Sequence, residues 1–110
     1  MAVIKKYQVK WTKTASRDLA EIVEYIAADN STNALNVLTQ IENKSNDLYI
    51  FPERGRVLPE LREVDISIYR ELVVNPWRII YRQEKNTVFV LAILDSRRDL
   101  SGLLLDRLLR

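Results

Sequence analysis

The stretch YRELVVNPWRIIYR, Tyr69 to Arg82, decides the fold. Its β-branched and aromatic residues favour pleated backbone, and Asn75 with Pro76 in the middle supplies a turn, so the segment predicts two strands, Tyr69 to Val74 and Trp77 to Arg82. Pro76 fits a type I turn beginning at Asn75 better than a two-residue primed hairpin. Directly after it, QEKNT reads as a second turn, with Asn86 suited to a left-handed conformation, and TVFVLAIL, Thr87 to Leu94, is apolar throughout. A strand apolar on both faces belongs in the interior of a sheet, so the third strand is placed centrally. The three form an antiparallel meander.

Working back towards the N-terminus, YQVKW alternates and predicts a first strand with Tyr7, Val9 and Trp11 on one face. Thr12 or Thr14 then provides a side-chain oxygen to cap a helix whose apolar positions are Ala15, Leu19, Ile22, Val23 and Ile26, ending near ADNST. Asn30 or Ser31 caps a second helix with the stripe Ala34, Leu35, Leu38, Ile41 and Leu48, which Pro52 closes. Two helices joined by so short a link make an αα-hairpin. PERGRVLPEL reads as a loop, and LSGLLLDRLLR at the C-terminus as a short leucine-rich helix. The fold class is therefore α+β: an N-terminal strand, a helical hairpin packed on an antiparallel β-sheet, and a short C-terminal helix, in one domain spanning residues 1–110.

Composition removes whole classes of chemistry. The 110 residues contain no cysteine and no histidine, which excludes disulfides, thiolate nucleophiles, Cys- or His-based metal centres and a histidine-centred triad. No cofactor and no metal are expected. The N-terminus lacks the apolar core of a signal peptide and nothing later approaches a membrane span, which points to a cytoplasmic protein without membrane contact. Net charge is +2, but ten of the arginines fall after residue 53, where the only lysine is Lys85. Arginine is the permanently charged, forked cation suited to phosphate, carboxylate and interface contacts.

Strand parity then places these arginines. Arg78, Ile80 and Arg82 share one face of their strand, and Trp77, Ile79 and Tyr81 the other. With the helices covering the tryptophan face, Arg70 and Arg78 are expected to project together into an open concavity, joined by Arg97 and Arg98 at the end of the following strand. Such a surface binds an anion or a partner, whereas ion pairs to Glu71, Glu84, Asp95 and Asp99 would make the same arginines structural. As a nuclease site the set is incomplete. Arginine stabilises phosphate charge but does not take a proton, leaving Glu71, Asp95, Tyr69 and Tyr81 as the available acids and bases. Asp18, Glu21 and Glu24 read as the solvated face of the first helix.

The fragments WTKTASRDLAEIVEYI, FPERGRVLPEL, YRELVVNPWRIIYR and LDSRRDLSGLLLDRLL together resemble the RelE/ParE superfamily of bacterial type II toxin–antitoxin toxins, across nearly the whole chain. The resemblance implies two helices against an antiparallel sheet, growth arrest or plasmid stabilisation as the biological setting, and a cognate antitoxin whose disordered segment folds on binding. It also implies one of two targets: DNA gyrase for ParE-like members, or mRNA in the ribosomal A site for RelE-like members. Arg78 and Arg97 match positions of functional arginines in the RNA-cleaving branch. The lysines that branch carries on the preceding strand are absent, since YRELVV offers Arg70 and Glu71, and leucines 103 to 105 replace its C-terminal tyrosine. Asp95 and Ser96 stand where many relatives have a His-Gly pair. The expectation is a ParE-like gyrase inhibitor. Arg70, Arg78, Arg97 and Arg98 are its target-binding candidates, and Leu100 and Leu103 its antitoxin contacts; Leu104 and Leu108 are expected to pack internally. The alternatives are an endoribonuclease using Arg78, Arg97, Glu71 and Tyr81, and an inactive relative that reaches DNA only through its antitoxin.

Overall fold

The structure, a computed structural model, describes residues 5–97 and Gly102. Its elements run β1 (Gln8–Trp11), α1 (Lys13–Ala27), α2 (Ser31–Asn46), a 3-10 turn at Asp47–Tyr49, β2 (Arg56–Val57), α3 (Pro59–Arg62), β3 (Tyr69–Val74), β4 (Trp77–Glu84) and β5 (Thr87–Asp95). The sheet order is β1-β5-β4-β3-β2. The helices pack on it as an α+β domain, and the hairpin and N-terminal strand lie where the sequence places them. β5 is interior, and the β1–β5 pair is parallel while the other pairs are antiparallel. β2, the strand that follows the helical hairpin, runs opposite to β1, and the three antiparallel pairings from β2 to β5 then bring β5 beside β1 in the same sense.

Both helix starts follow from hydrogen-bond need. The Thr12 hydroxyl accepts from the Ala15 amide at 3.1 Å, and the Asn30 side chain accepts from Asn33 at 2.9 Å, each satisfying a first-turn donor. The helices cover one face of the sheet over a core that includes Ala15, Ile41, Leu72, Ile79, Tyr81 and Val90, with Tyr7, Val9 and Trp11 packed against it. The opposite face carries a second cluster, where Leu58 and Leu61 lie on Tyr69, Ile80, Ala92 and Leu94.

That second cluster corrects the reading of PERGRVLPEL as a plain loop, because it contains β2 and α3. Pro59 occupies the first turn of α3, where its missing N–H leaves nothing unsatisfied, and the helix lays Leu61 on the sheet. The expected type I turn at Asn75 is also corrected. Val74 pairs directly with Trp77 across a two-residue connection whose Asn75–Pro76 peptide is cis. The predicted C-terminal helix lies outside the described residues apart from the helical Gly102.

Candidate functional site

The register of β3 on β4 governs every arginine on these strands. Residues directly opposite share a face, and Arg70 lies opposite Tyr81 while Arg78 lies opposite Val73. Arg70 and Arg78 therefore sit on opposite faces of the sheet, and the shared open concavity expected from sequence does not form. With Val74 opposite Trp77, parity along β3 carries Arg70 to the helix-covered face.

On the face bearing α3, Arg78 is nearly buried, at 6% exposure, and Glu71 is at 1%. The Arg78 guanidinium donates from Nε to Glu71 Oε1, from Nη2 to Glu71 Oε2 at 2.9 Å, and through Nη1 and Nη2 to both Glu60 oxygens at 2.5 and 2.8 Å. Arg56 on β2 donates from Nε to Glu71 Oε2, the oxygen it shares with Arg78 Nη2, at 2.9 Å. Two arginines and two glutamates alternate in one chain of ion pairs that ties β2, α3, β3 and β4 together. Hydrogen bonding from Arg78 holds the Glu60 carboxyl below its ordinary 4.5, and Glu60 in turn raises Arg78 further above its already high value. Balanced in this way, Arg78 presents no free positive charge to an incoming phosphate.

On the other face, Arg70 and Tyr81 together hold the 52–55 loop. The Tyr81 hydroxyl, fully buried, donates to Pro52 O at 2.7 Å and accepts from Gly55 N at 2.8 Å, while Arg70 donates to Gly55 O at 2.8 Å. Burial pushes the Tyr81 phenol above its ordinary pKa, so it stays protonated at neutral pH. A Cβ on Gly55 would lie 2.4 Å from the Glu71 carbonyl and 2.6 Å from the Tyr81 hydroxyl, which is why glycine stands there.

Arg97 is of a different kind. Its side chain is 70% exposed just beyond β5, and Asp95 accepts from Nε at 2.9 Å and from Nη2 at 2.7 Å, raising the Arg97 pKa. Arg98, Leu100 and Leu103, together with Leu104 and Leu108, lie outside the described residues. Among the described residues no group of three acidic, histidine or cysteine side chains could hold a metal, and no helix is long and apolar enough to cross a membrane.

Sequence reasoning missed Glu60 and Arg56 as partners in the ion-pair chain; the Pro-Glu start of α3 is the local signal that could have revealed Glu60. It also misassigned Asp18, whose carboxylate accepts from the Ile93 amide at 3.0 Å where β1 has ended and β5 continues. Between α1 and α2 an open groove of about 550 Å³ is floored by Trp11, Leu19, Ala20, Val23 and Leu38, with Glu24 and Glu42 on its rim. The first strand and both helix stripes supply its apolar surface, so a helical or extended segment of a partner has an apolar seat there.

The family model described as "ParE toxin of type II toxin-antitoxin system, parDE" matches residues 9–100. Toxin ParE3 of Caulobacter vibrioides is 31% identical over 92 residues, covering 83% of this chain and 88% of that protein. Among solved structures, the chromosomal ParDE toxin–antitoxin system of P. aeruginosa aligns with a TM-score of 0.66 at 21% identity, over 83% of this chain and 97% of that one, a likeness of fold. The toxin–antitoxin complex RelBE2 of Mycobacterium tuberculosis aligns with a TM-score of 0.57 at 26% identity, over 86% and 97%. With a five-stranded sheet under a helical hairpin and a family match spanning most of its length, this chain belongs to the ParE family of type II toxin–antitoxin toxins.

Proposed function

We propose that the protein is a cytoplasmic growth-arresting toxin that acts as a binding protein on DNA gyrase, and that a cognate antitoxin neutralises it. The observation that carries the choice of target class is the double carboxylate clamp on Arg78. RNA cleavage needs a cation to meet developing phosphate charge and groups to move two protons. Arg78 is neutralised by Glu71 and Glu60, and Tyr81 is buried with both hydrogen-bonding capacities used. Among the described candidates Arg97 is the exposed cation, and it suits a contact with a protein or DNA partner better than a self-sufficient nuclease site. Arg98 is the next residue in sequence. Family membership supports the antitoxin, and the α1–α2 groove offers it an apolar seat.

The test is pulse labelling of DNA and protein synthesis within minutes of inducing the chain alone in bacteria. The expected result is an early collapse of DNA synthesis, relieved by overproduced gyrase. An early collapse of protein synthesis with replication intact would replace gyrase with the ribosome and mRNA.

A further inference from the structure

The β4–β5 hairpin closes over two residues, with Glu84 paired to Thr87, and the residue at positive φ in that turn is Lys85, at 54°, rather than the expected Asn86. Glycine is the low-strain choice for such a position, and a long side chain kept there against backbone preference points to a use for the side chain. The sheet beside the turn supplies one. Lys10 lies opposite Phe89, Phe89 opposite Arg82, and Arg82 opposite Tyr69, so the four form a row on the face that bears α3. The leucines of the α3 segment cover the Tyr69 end of the row. Phe89 is partly exposed and belongs to neither apolar cluster, and Lys10 is exposed. Each strand step is about 4.8 Å, which sets a cation close to the ring on either side. Phe89 also lines an open pocket of about 380 Å³ with Lys85, Asn86 and Thr87, with Glu84 at its rim. Glu84 accepts from Arg82 Nη2 at 3.0 Å, but the two side chains are 56% and 36% exposed, and a pair in that setting gives way to another anion at little cost. Arg82 Nε has no hydrogen-bond partner among the described residues.

We propose that this end of the sheet is a contact for single-stranded nucleic acid, with one base stacked on Phe89 and the adjoining phosphates held by Lys10, Arg82 and Lys85. An aromatic ring on a rigid strand accepts any base through its π-face, and cations spaced around it follow the phosphate backbone. A duplex keeps its bases stacked on one another and away from the ring. An acidic peptide would engage the cations and leave Phe89 without a planar partner, so the ring favours nucleic acid. The contact lies at the far end of β4 from Arg78 and of β5 from Arg97, and it stands apart from the choice of gyrase as target.

The test is fluorescence anisotropy of the full-length protein with labelled oligothymidylate and oligouridylate of about 12 nucleotides over a range of salt. Saturable binding is expected, and the tighter of the two oligomers identifies DNA or RNA as the occupant. Phe89→Leu keeps apolar bulk but removes the ring and should weaken binding about tenfold. Lys10→Gln should lower the slope of log affinity against log salt by about 0.7. Lys85→Gly relaxes the turn, so it should raise Tm while weakening binding about threefold, a combination that a folding defect does not produce. Absence of saturable binding, or unchanged affinity in Phe89→Leu or in Lys85→Gly, overturns the proposal. Equal competition by polyglutamate also overturns it and assigns the cations to an acidic protein partner.

Discussion

Replacing Arg78 by methionine separates a structural arginine from a target-contacting one. The substitution removes four hydrogen bonds and leaves Glu71, a carboxylate at 1% exposure, with the largely exposed Arg56 as its one side-chain partner among the described residues. Removing one member of a buried pair costs about 3–5 kcal/mol, mostly from the uncompensated charge left behind. For a domain of this size that is a fall in Tm on the order of 12–20 °C. The double variant Glu71→Met with Arg78→Met removes the stranded charge as well, while Arg56 and Glu60 each retain access to water. Its stability should return to within about 2 kcal/mol of the wild type. Urea unfolding of the three proteins measures this, and induction in bacteria measures growth arrest. The double variant is expected to be folded and toxic. A loss below about 1 kcal/mol in the single variant, or no recovery in the double, would refute the energetic argument. A stable double variant without toxicity would instead make Arg78 a contact to the target.

Tyr81→Phe deletes one hydroxyl but strands the Gly55 amide and the Pro52 carbonyl, so a loss of about 2–3 kcal/mol is expected in thermal or chemical unfolding, with growth arrest retained at temperatures where the protein is folded. Because Arg78 depresses the Glu60 pKa, that carboxyl contributes stability above the ordinary 4.5 and loses it as pH falls through the lower folded value. The Tm difference between wild type and Glu60→Gln should therefore be constant above about pH 5 and narrow below pH ~4. Among the described residues Arg97→Ala breaks the ion pair with Asp95, whose arginine side is 70% exposed, so Tm should stay unchanged while toxicity falls; retained toxicity would remove Arg97 from the target surface.

The strands and helices were legible because each rests on a local rule. Alternation marked β1, the β-branched residues around the Asn75–Pro76 turn marked β3 and β4, the unbroken apolar run marked interior β5, and the helix starts were narrowed to Thr12 or Thr14 and Asn30 or Ser31, of which Thr12 and Asn30 accept the capping hydrogen bonds. The absence of cysteine and histidine also excluded chemistry without any structure, and the arginine-bearing strand with the motifs around it carried the family. What the sequence by itself could not decide was which side of the sheet each arginine takes and what meets it there. Pairing Val74 with Trp77 sends Arg70 to the loop-holding face and Arg78 to the other, a parity set by how two residues close the turn. Glu60 reaches Arg78 from eighteen positions away because α3 folds over the sheet, and Asp18 meets Ile93 across 75 positions because β1 stops short of β5. Those contacts join residues with no sequence relation to one another. Only the packed chain could show that Arg78 is held as a neutralised strut while Arg97 stays in solvent.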